Sequence, residues 1–387
     1  MRPHRQTTPP ERRRAAEREQ QRVTGPPEHE QRPLTGPPEQ GQRPLTGPRQ
    51  PRVPEPEEQS AAASGAGTGD AGPEGRAGRV AAGARGAELG AWVELLRLPA
   101  LFTVPGDVLA GAAATGLRPT PRTVCAIGSS LCLYEAGMAL NDWADRAEDA
   151  AERPHRPLPS GRIRPAAALA AAGGLTAAGL ALAARAGRPA LAVAAPLAAT
   201  VWAYDLVLKH TPAGPVAMAA ARGLDLLMGA AATTGGIRAA LPSAAALGTH
   251  TLAVTAVSRH ETQGGAHLPP VAALAVTACL TRFLAPRPPT GRREAASPGL
   301  PGTGPTATTA LRRALAAAYA TTMARPCVHA ALNPSPPLTQ RAVGSGIRAM
   351  IPLQAALTAR AGAPAGALLV AALAPLGRRF AKKVSIT

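Results

Sequence analysis

Aromatic residues are scarce in this chain: three Phe, three Tyr and three Trp make up 2% of its 387 residues. A water-soluble protein of this length usually carries a larger aromatic core, so the composition argues against an ordinary soluble domain. Glycine is abundant instead, with 40 residues, and 45% of the chain is hydrophobic. Because small side chains let helices approach each other closely in lipid, this composition favours a bundle of membrane helices.

Cysteine is also rare, and its positions give no sign of a metal site or a disulfide framework. The four cysteines show no metal-ligand spacing, and three of them lie within or beside apolar runs. They are best interpreted as small buried apolar residues. They stand at Cys125, Cys132, Cys279 and Cys327.

Acidic residues are outnumbered by basic ones, giving a formal net charge of +18 that would also suit a nucleic-acid-binding protein. The distribution of the charge argues against that class. Residues 1–89 hold 14 arginines and 12 acidic residues, so the remaining +16 lies between hydrophobic runs. Basic loops beside apolar segments are typical of chains that contact lipid headgroups. We therefore expect a lipid bilayer and no nucleic acid as a partner; protein partners are not indicated.

Residues 1–88 contain few apolar residues and repeat phrases such as QRPLTGPPEQG at about ten-residue spacing. Such a segment cannot bury a core, so it is predicted to be a disordered Pro/Gly/Arg-rich tail. A partner-binding linker and an extension from an upstream start codon are the alternatives. It does not resemble a signal peptide, because no apolar region follows the first arginines.

From about residue 90, apolar segments recur that reach the roughly 20 residues needed to cross a bilayer. Residues 89–387 are therefore predicted to form an all-α, polytopic membrane bundle of about nine transmembrane helices, with eight as the alternative. Prolines and a glycine (Pro99, Pro105 and Gly106) are expected to kink the first span, and Arg360 and Pro364 interrupt the last. The predicted spans are 91–115, 121–142, 165–186, 188–207, 213–234, 239–258, 266–285, 307–325 and 347–375.

The connection after the second span predicts the orientation of the bundle. It is rich in arginine, and the positive-inside rule places such a loop in the cytoplasm. The protein is thus expected to be a multi-pass protein of the cell membrane with this loop on the cytoplasmic side. With nine spans, the arginines of residues 287–293 and the basic C-terminal tail would face outward, against the rule, so the helix count stays open. The arginines of the connection are Arg146, Arg153, Arg156, Arg162 and Arg164.

Acidic residues are concentrated at the start of this connection, in the sequence NDWADRAEDAAE, whereas residues 90–387 hold only seven others. Asn141, Asp145 and Asp149 are spaced i, i+4 and i+8, so they share one face of a helix, with Asp142 close in direction to Asp149. Like charges on one face repel unless a cation lies between them, and hard oxygen donors suit Mg²⁺.

Basic residues follow the acidic ones directly. Arg153 and Arg156 offer guanidinium groups suited to phosphate. Carboxylates for a metal ion, followed by cations for phosphate, predict a diphosphate site at the membrane surface. The alternative is a solvated helix end whose acids pair with Arg146 and Arg153.

The pattern Asn141-Asp142-x-x-Asp145-x-x-x-Asp149, continued by RPHRPLPSGR (153–162), resembles the first Asp-rich motif of the UbiA superfamily of intramembrane prenyltransferases. The resemblance covers most of residues 91–387 in span pattern. It implies a helical bundle with a cavity open to lipid, and Mg²⁺-dependent transfer of an isoprenyl group from a prenyl diphosphate to a lipophilic or aromatic acceptor. It also implies metal ligation by Asn141, Asp142, Asp145 and Asp149, with Asp145 and Asp149 catalytic and Arg153 and Arg156 binding the substrate.

The segment YDLVLKHTPAGP (204–215) resembles the family's Tyr/Lys motif, with one extra residue between Tyr204 and Lys209. The resemblance implies that both bind the substrate and that Lys209 assists catalysis. Lys209 also ends a span, so it could instead extend to the interface simply to keep its charge in water.

The segment SRHETQGG (258–265) stands where family members usually carry a second pair of aspartates. It offers only Glu261 and is similar to a divergent branch with a Ser-Arg-x-Glu motif. Glu261 is either a ligand for a second metal ion or the partner of Arg259 in a surface salt bridge. Arg259 could also contact the diphosphate.

Charged residues within the spans complete the set of candidates. Arg222 and Asp225 are spaced i, i+3, so they can pair with each other, or Arg222 can contact the diphosphate. Asp107 and Glu135 could line the acceptor pocket. Two other functions compete with the enzyme: a non-catalytic UbiA-like membrane protein that binds a prenyl lipid or a partner enzyme, and a transporter, for which no inverted repeat is visible.

Overall fold

The computed structural model describes residues 86–286 and 305–384, and within these ranges every regular element is helical. Almost all of the predicted tail, residues 1–85, lies outside the described residues. So do residues 287–304, which contain the arginine-rich loop expected between two late spans, and the last three residues of the chain.

The described residues form twelve α-helices, with short 3₁₀ turns at Leu98–Thr103 and Arg238–Ala240 and a π-helical turn at Tyr204–Leu208. The α-helices are α1 (residues 86–95), α2 (Val104–Ala114), α3 (Pro121–Ala144), α4 (Arg146–Glu152), α5 (Pro165–Ala186), α6 (Arg188–Ala203), α7 (Gly214–Thr234), α8 (Leu241–Ser258), α9 (Leu268–Leu284), α10 (Pro305–Leu332), α11 (Pro336–Arg360) and α12 (Pro364–Val384).

Proline explains where several of these helices begin. It occupies the first position of α3, α5, α11 and α12, where its missing N–H group would have no helical partner in any case. Thr120, just before α3, adds a capping box with Thr123. The N-terminus of α3 is therefore well defined, at the opposite end of the helix from the acidic residues.

The predicted first span, 91–115, is broken rather than continuous. It comprises the end of α1, the 3₁₀ turn and α2, with Pro99 and Pro105 near the starts of the second and third pieces. This confirms the expected kink. The predicted last span, 347–375, is likewise divided between α11 and α12, which meet between Arg360 and Pro364.

Five helices are long and apolar enough to cross a membrane, and three shorter apolar helices accompany them among the described residues. The protein is thus an all-α, multi-pass membrane protein, while the predicted number of nine spans is not confirmed. The five long spans are Pro121–Ala144, Pro165–Ala186, Arg188–Leu208, Gly214–Thr234 and Arg238–Ser258.

Helices α2 and α7 cross at a pair of glycines. A Cβ atom added at Gly111 would overlap the backbone of Leu226, and one added at Gly229 would overlap the backbone of Val108. Small residues at such a crossing let two backbones come into direct contact. This close approach brings the polar residues of the two helices within reach of one another.

The end of α3 is held by a small apolar cluster of its own. Its buried members include Leu95 of α1, Leu140 of α3, and Leu158 and Ile163 of the loop after α4. Helix α1 and this loop therefore pack directly beside the acidic sequence at the end of α3.

Candidate metal and diphosphate site

Asp145 occupies the junction between α3 and α4. Its backbone amide donates to the carbonyl of Asn141 (2.9 Å), and the amide of Asp149 donates in turn to the carbonyl of Asp145 (2.8 Å). The helical ladder thus continues through the junction, and the three residues lie on successive turns. This agrees with the spacing argument, although their roles stay predictions.

The side chain of Asp145 meets Lys209, whose Nζ contacts Oδ1 of the carboxylate. Lys209 is 11% exposed and Asp145 20%, so the pair is only partly accessible to solvent. His210 Nε2 lies 4.0 Å from the same oxygen. Two separate spans therefore deliver an acid and two nitrogen groups to one point.

Glu148 extends this group to three possible metal ligands. One ligand atom each from Asp145, Glu148 and His210 lies within 4.8 Å of the others. The two carboxylates supply the hard oxygen atoms that Mg²⁺ prefers, while an imidazole is a weaker ligand for that ion. The donor set at this junction therefore fits a divalent cation held by oxygen. Glu148 follows Asn141 by seven residues and so shares its helix face, but the spacing argument named only Asn141, Asp145 and Asp149 on that face.

A π-helical turn explains the extra residue between Tyr204 and Lys209. The amide of Lys209 donates to the carbonyl of Tyr204 (2.9 Å), an i to i−5 bond in place of the usual i to i−4. Such turns occur inside α-helices, often at functional sites. Because five residues make one turn here, Lys209 still follows Tyr204 by a single turn, and the longer spacing does not separate the two side chains.

Asp142 and Asp149 are both buried and both held by arginines. Arg156 Nη1 lies 2.7 Å from Oδ2 of Asp149 and 3.7 Å from Oδ1 of Asp142. Arg153 Nη1 lies 3.7 Å from Asp149, which is the i, i+4 pair expected of a solvated helix end. Arg97 Nη2 lies 2.9 Å from Asp142. In this state the two carboxylates face guanidinium groups.

Asp205 is a site residue that the sequence argument missed. It lies in the π-helical turn, is 4% exposed, and interacts electrostatically with Lys209 and Asp145. The sequence did contain a sign of its role, because Asp205 is one of the seven acids outside the main cluster and directly follows Tyr204.

The second motif lies near the Lys209 loop. Arg259 Nη1 donates to the carbonyl of Thr211 (2.5 Å), which ties the end of α8 to the loop after the π-helical turn. Glu261 is partly exposed and makes no salt bridge with any residue that the structure describes. The alternative in which Glu261 pairs with Arg259 is therefore not what the structure shows.

A pair with Asp225 was one of the two alternatives for Arg222, and the structure pairs Arg222 with Asp107 instead. Arg222 Nη1 lies 2.7 Å from Oδ2 of Asp107, because the glycine crossing brings α2 against α7. Asp225 instead accepts a hydrogen bond from Ser130 of α3 (2.7 Å), and Asp107 accepts one from Gln354 of α11 (2.5 Å). This network lies roughly 12 Å along α7 from its first residue, at 1.5 Å per residue.

The network has a consequence for substrate binding. Arg222 is 11% exposed and Asp107 is completely buried. The guanidinium is thus engaged inside the bundle by Asp107 of α2. Its predicted role as a diphosphate ligand stays without support from a contact in the site.

The face of α3 that carries the acidic residues continues into the bundle. Asn141, Met138 and Tyr134 are spaced by three and four residues, so they form one stripe, and all three are partly exposed. Glu135, beside this stripe, is 6% exposed and has no hydrogen-bond partner for either carboxylate oxygen within the described residues.

A cavity of about 700 Å³ lies at the far end of α3, next to its N-terminus. It is lined by the loop between α2 and α3 and by the loop between α11 and α12, and its lining includes Arg118 but no acidic residue. It is therefore separate from the cluster at the end of α3.

Comparisons with known proteins agree with this arrangement. Residues 100–281 match the model of the UbiA prenyltransferase family. Two curated relatives are digeranylgeranylglyceryl phosphate synthases: that of Methanopyrus kandleri is 36% identical over 150 residues, covering 36% of this chain and 52% of the relative. That of Methanothrix thermoacetophila is 36% identical over 149 residues, covering 38% and 55%. The chain thus spans about half the length of the curated relatives it matches.

A solved structure supports the fold. The apo structure of a UbiA homologue from Aeropyrum pernix K1 aligns with a TM-score of 0.52 at 16% sequence identity. The alignment covers 66% of this chain and 96% of that protein. At this level of identity the likeness concerns the helical fold alone.

Proposed function

Because residues 100–281 match the model of the UbiA prenyltransferase family, we propose that the protein transfers an isoprenyl group from a prenyl diphosphate to a lipophilic or aromatic acceptor within the membrane. Mg²⁺ is the proposed cofactor. The observation that carries the proposal is the contact between Asp145 and Lys209, residues of two different spans. It joins the acidic motif to the Tyr/Lys motif at one end of an apolar bundle.

Asn141, Asp145 and Asp149 are the residues that would hold Mg²⁺, and the position of Glu148 beside Asp145 supports an oxygen-rich site. The bound ion would act as a Lewis acid toward the diphosphate oxygens. Glu261 is the residue that we assign to a second ion, from the motif after α8.

The ion pairs of the site support a mode of binding in which the diphosphate replaces the carboxylates as the partner of the basic side chains. Arg156 now faces Asp149, and Lys209 faces Asp145. A bound diphosphate would take over these two cations, and the carboxylates would then be free to hold Mg²⁺. The number of opposite-charge contacts is then conserved, so the groups need not be left unpaired in a partly buried site.

Arg153, Arg156 and Lys209 then neutralise the charge that grows on the departing diphosphate. Fixed cations in a site that excludes water stabilise such charge without having to reorganise during the reaction. Tyr204, one π-helical turn before Lys209, borders the same group. Arg259 is assigned to the rim of the site, because its guanidinium reaches the Lys209 loop.

The stripe of Tyr134 and Met138 supports a path for the prenyl chain from the acidic motif into the bundle. Both are partly exposed on the face that leads to Asn141. A tyrosine ring on this path offers a π-face to the allylic cation, which otherwise finds few aromatic rings in this chain.

We also propose that the site faces the cytoplasm. The loop after α4 carries the densest group of arginines beside a long span, and such loops are retained on the cytoplasmic side. Labelling of a single cysteine placed in this loop, in intact cells and in opened membranes, tests the assignment. Labelling in intact cells by a reagent that cannot cross the membrane would overturn it.

Turnover by the purified protein tests the proposed activity. The protein in detergent is incubated with radiolabelled prenyl diphosphates of several lengths, Mg²⁺ and lipophilic or aromatic acceptors. We expect release of diphosphate that stops on addition of EDTA. A parallel reaction without protein corrects for spontaneous hydrolysis of the allylic diphosphate.

One observation favours a second candidate, a non-catalytic protein that binds a prenyl lipid or a partner enzyme. The segment 258–265 supplies a single carboxylate, Glu261, where the resemblance leads us to expect two. Binding of prenyl diphosphate without release of diphosphate, across all lengths and acceptors tested, would establish this candidate in place of the enzyme.

Replacement of Glu261 by glutamine is expected to raise the Mg²⁺ concentration needed for half-maximal turnover by about tenfold. The change removes an anionic oxygen from a site for a hard cation, so extra Mg²⁺ should restore part of the rate. Titration of turnover with Mg²⁺ measures the shift. Glu261→Asp keeps the charge on a shorter stem and should be milder. Equal Mg²⁺ dependence in all three proteins would remove Glu261 from the site.

A further inference from the structure

Arg97 is held in an unusual backbone conformation between α1 and the 3₁₀ turn. Its φ and ψ angles are 47° and 45°, and it is the one residue other than glycine with positive φ in the described parts of the chain. Side chains with a Cβ are strained in this left-handed region, so a structure keeps such a residue only where its surroundings hold it there.

The Arg97 side chain reaches across 45 residues of sequence to Asp142. Its Nη2 donates to Oδ1 of that carboxylate (2.9 Å), and Asp142 is 4% exposed. The charge of Arg97 also acts on the buried Asp205 of the π-helical turn. The turn that carries Arg97 thus places a cation near the two buried acids, Asp142 and Asp205.

Arg156 is the other cation within reach of Asp142, and it is shared. Its Nη1 lies 3.7 Å from Oδ1 of Asp142 but 2.7 Å from Oδ2 of Asp149. The shorter, hydrogen-bonded contact goes to Asp149 because Asp142 already has Arg97. Without Arg97, a nearly buried carboxylate would be left with Arg156 as its nearest cation.

We propose that Arg97 is a positioning residue that neutralises Asp142 and so keeps Arg156 available to the diphosphate. The proposal rests on the proposed function, since it concerns the same anion. It assigns Asp142 to an internal ion pair that orders the end of α3 rather than to the metal ion. Arg97 itself does not touch the substrate.

The test is a cycle of four proteins: the wild type, Arg97→Ala, Asp142→Asn and the double variant. The readout is the dissociation constant for inorganic diphosphate, measured calorimetrically in EDTA, so that only the protein's own cations contribute. Arg97→Ala is expected to weaken binding about tenfold, because Asp142 then draws Arg156 away from the anion. In the Asp142→Asn background the same replacement should change binding less than about twofold, since the charge at position 142 that would draw Arg156 away is already absent.

Two further variants separate this role from simple docking of α1. Arg97→Gly removes the guanidinium but suits positive φ, so it keeps the turn and should weaken binding as much as Arg97→Ala. Glu94→Gln breaks the ion pair that α1 makes with Arg162 (2.7 Å), and should leave binding unchanged. The Michaelis constant for geranyl diphosphate in Mg²⁺ should follow the same order as the calorimetric values.

An equal loss of affinity on removal of Arg97 in both backgrounds would overturn the proposal, because a merely structural role does not depend on the charge of Asp142. Wild-type affinity in Arg97→Gly would overturn it too. If the wild type binds neither inorganic diphosphate nor geranyl diphosphate, the proposed function fails and this inference fails with it. If the wild type binds both and the cycle shows no coupling, only the role of Arg97 is wrong.

Discussion

Replacement of Asp145 by asparagine is expected to lower the rate of prenyl transfer by about 100-fold or more, the range seen when a metal site loses an essential group. Asp145 is the residue on which the cluster converges: it contacts Lys209 and lies beside Glu148 and His210. Asparagine keeps the shape and one oxygen but removes the charge that a divalent cation requires. Turnover and Mg²⁺-dependent binding of prenyl diphosphate are the measurements.

The same variant should behave differently in EDTA. Lys209 loses its carboxylate partner and is then free to meet an anion, so binding of diphosphate without metal should not fall. Glu152→Gln is the matched control, because Glu152 is an exposed acid at the end of α4 that lies 4.0 Å from Arg153. It should leave both measurements unchanged. Equal affinity of wild type and Asp145→Asn for prenyl diphosphate, with and without EDTA, would contradict the metal site.

Replacement of Arg222 by methionine is expected to reduce the free energy of unfolding by about 3 kcal/mol, because it leaves the buried Asp107 without its cation. Hydrogen bonds between membrane helices are usually worth less, about 0.6 kcal/mol, since the unfolded chain finds other partners in the membrane. The larger value is expected here because Asp107 is completely buried and the partner that is lost is a charge. Unfolding by a denaturing detergent in mixed micelles measures the difference.

A second replacement identifies the cause. Asp107→Asn in the Arg222→Met background removes the stranded charge and should recover part of the lost stability. Arg185→Met, on the exposed end of α5, is the matched control and should change stability by less than about 0.5 kcal/mol. A stable Arg222→Met protein that no longer binds diphosphate would instead show that Arg222 is a substrate ligand.

Local features of the sequence were sufficient to locate the cluster. The run of apolar spans, the i, i+4, i+8 spacing of Asn141, Asp145 and Asp149, and the arginines that follow all depend on residues within a few turns of one another. The structure confirms the all-α fold and the kinked first span, and it carries the helical ladder through Asp145. These features follow from composition and helical periodicity, which act within a single element.

Residues that meet across helices could not be assigned in the same way. Arg97 and Asp142 are 45 residues apart, and Arg222 meets Asp107 rather than its neighbour Asp225. The sequence also could not determine the number of spans, because arginines interrupt the late apolar segments.

The sequence by itself determined that this protein is an apolar helical bundle with an acidic, arginine-flanked motif at the end of one span. Only the tertiary structure decided which cation serves which carboxylate. The physical reason is that helices made largely of Ala, Gly and Leu present similar surfaces on every side, so many ways of packing them bury equal amounts of apolar area. Contacts such as the crossing of Gly111 and Gly229 select one arrangement, and that arrangement places Arg222 on Asp107 and brings Lys209 to Asp145.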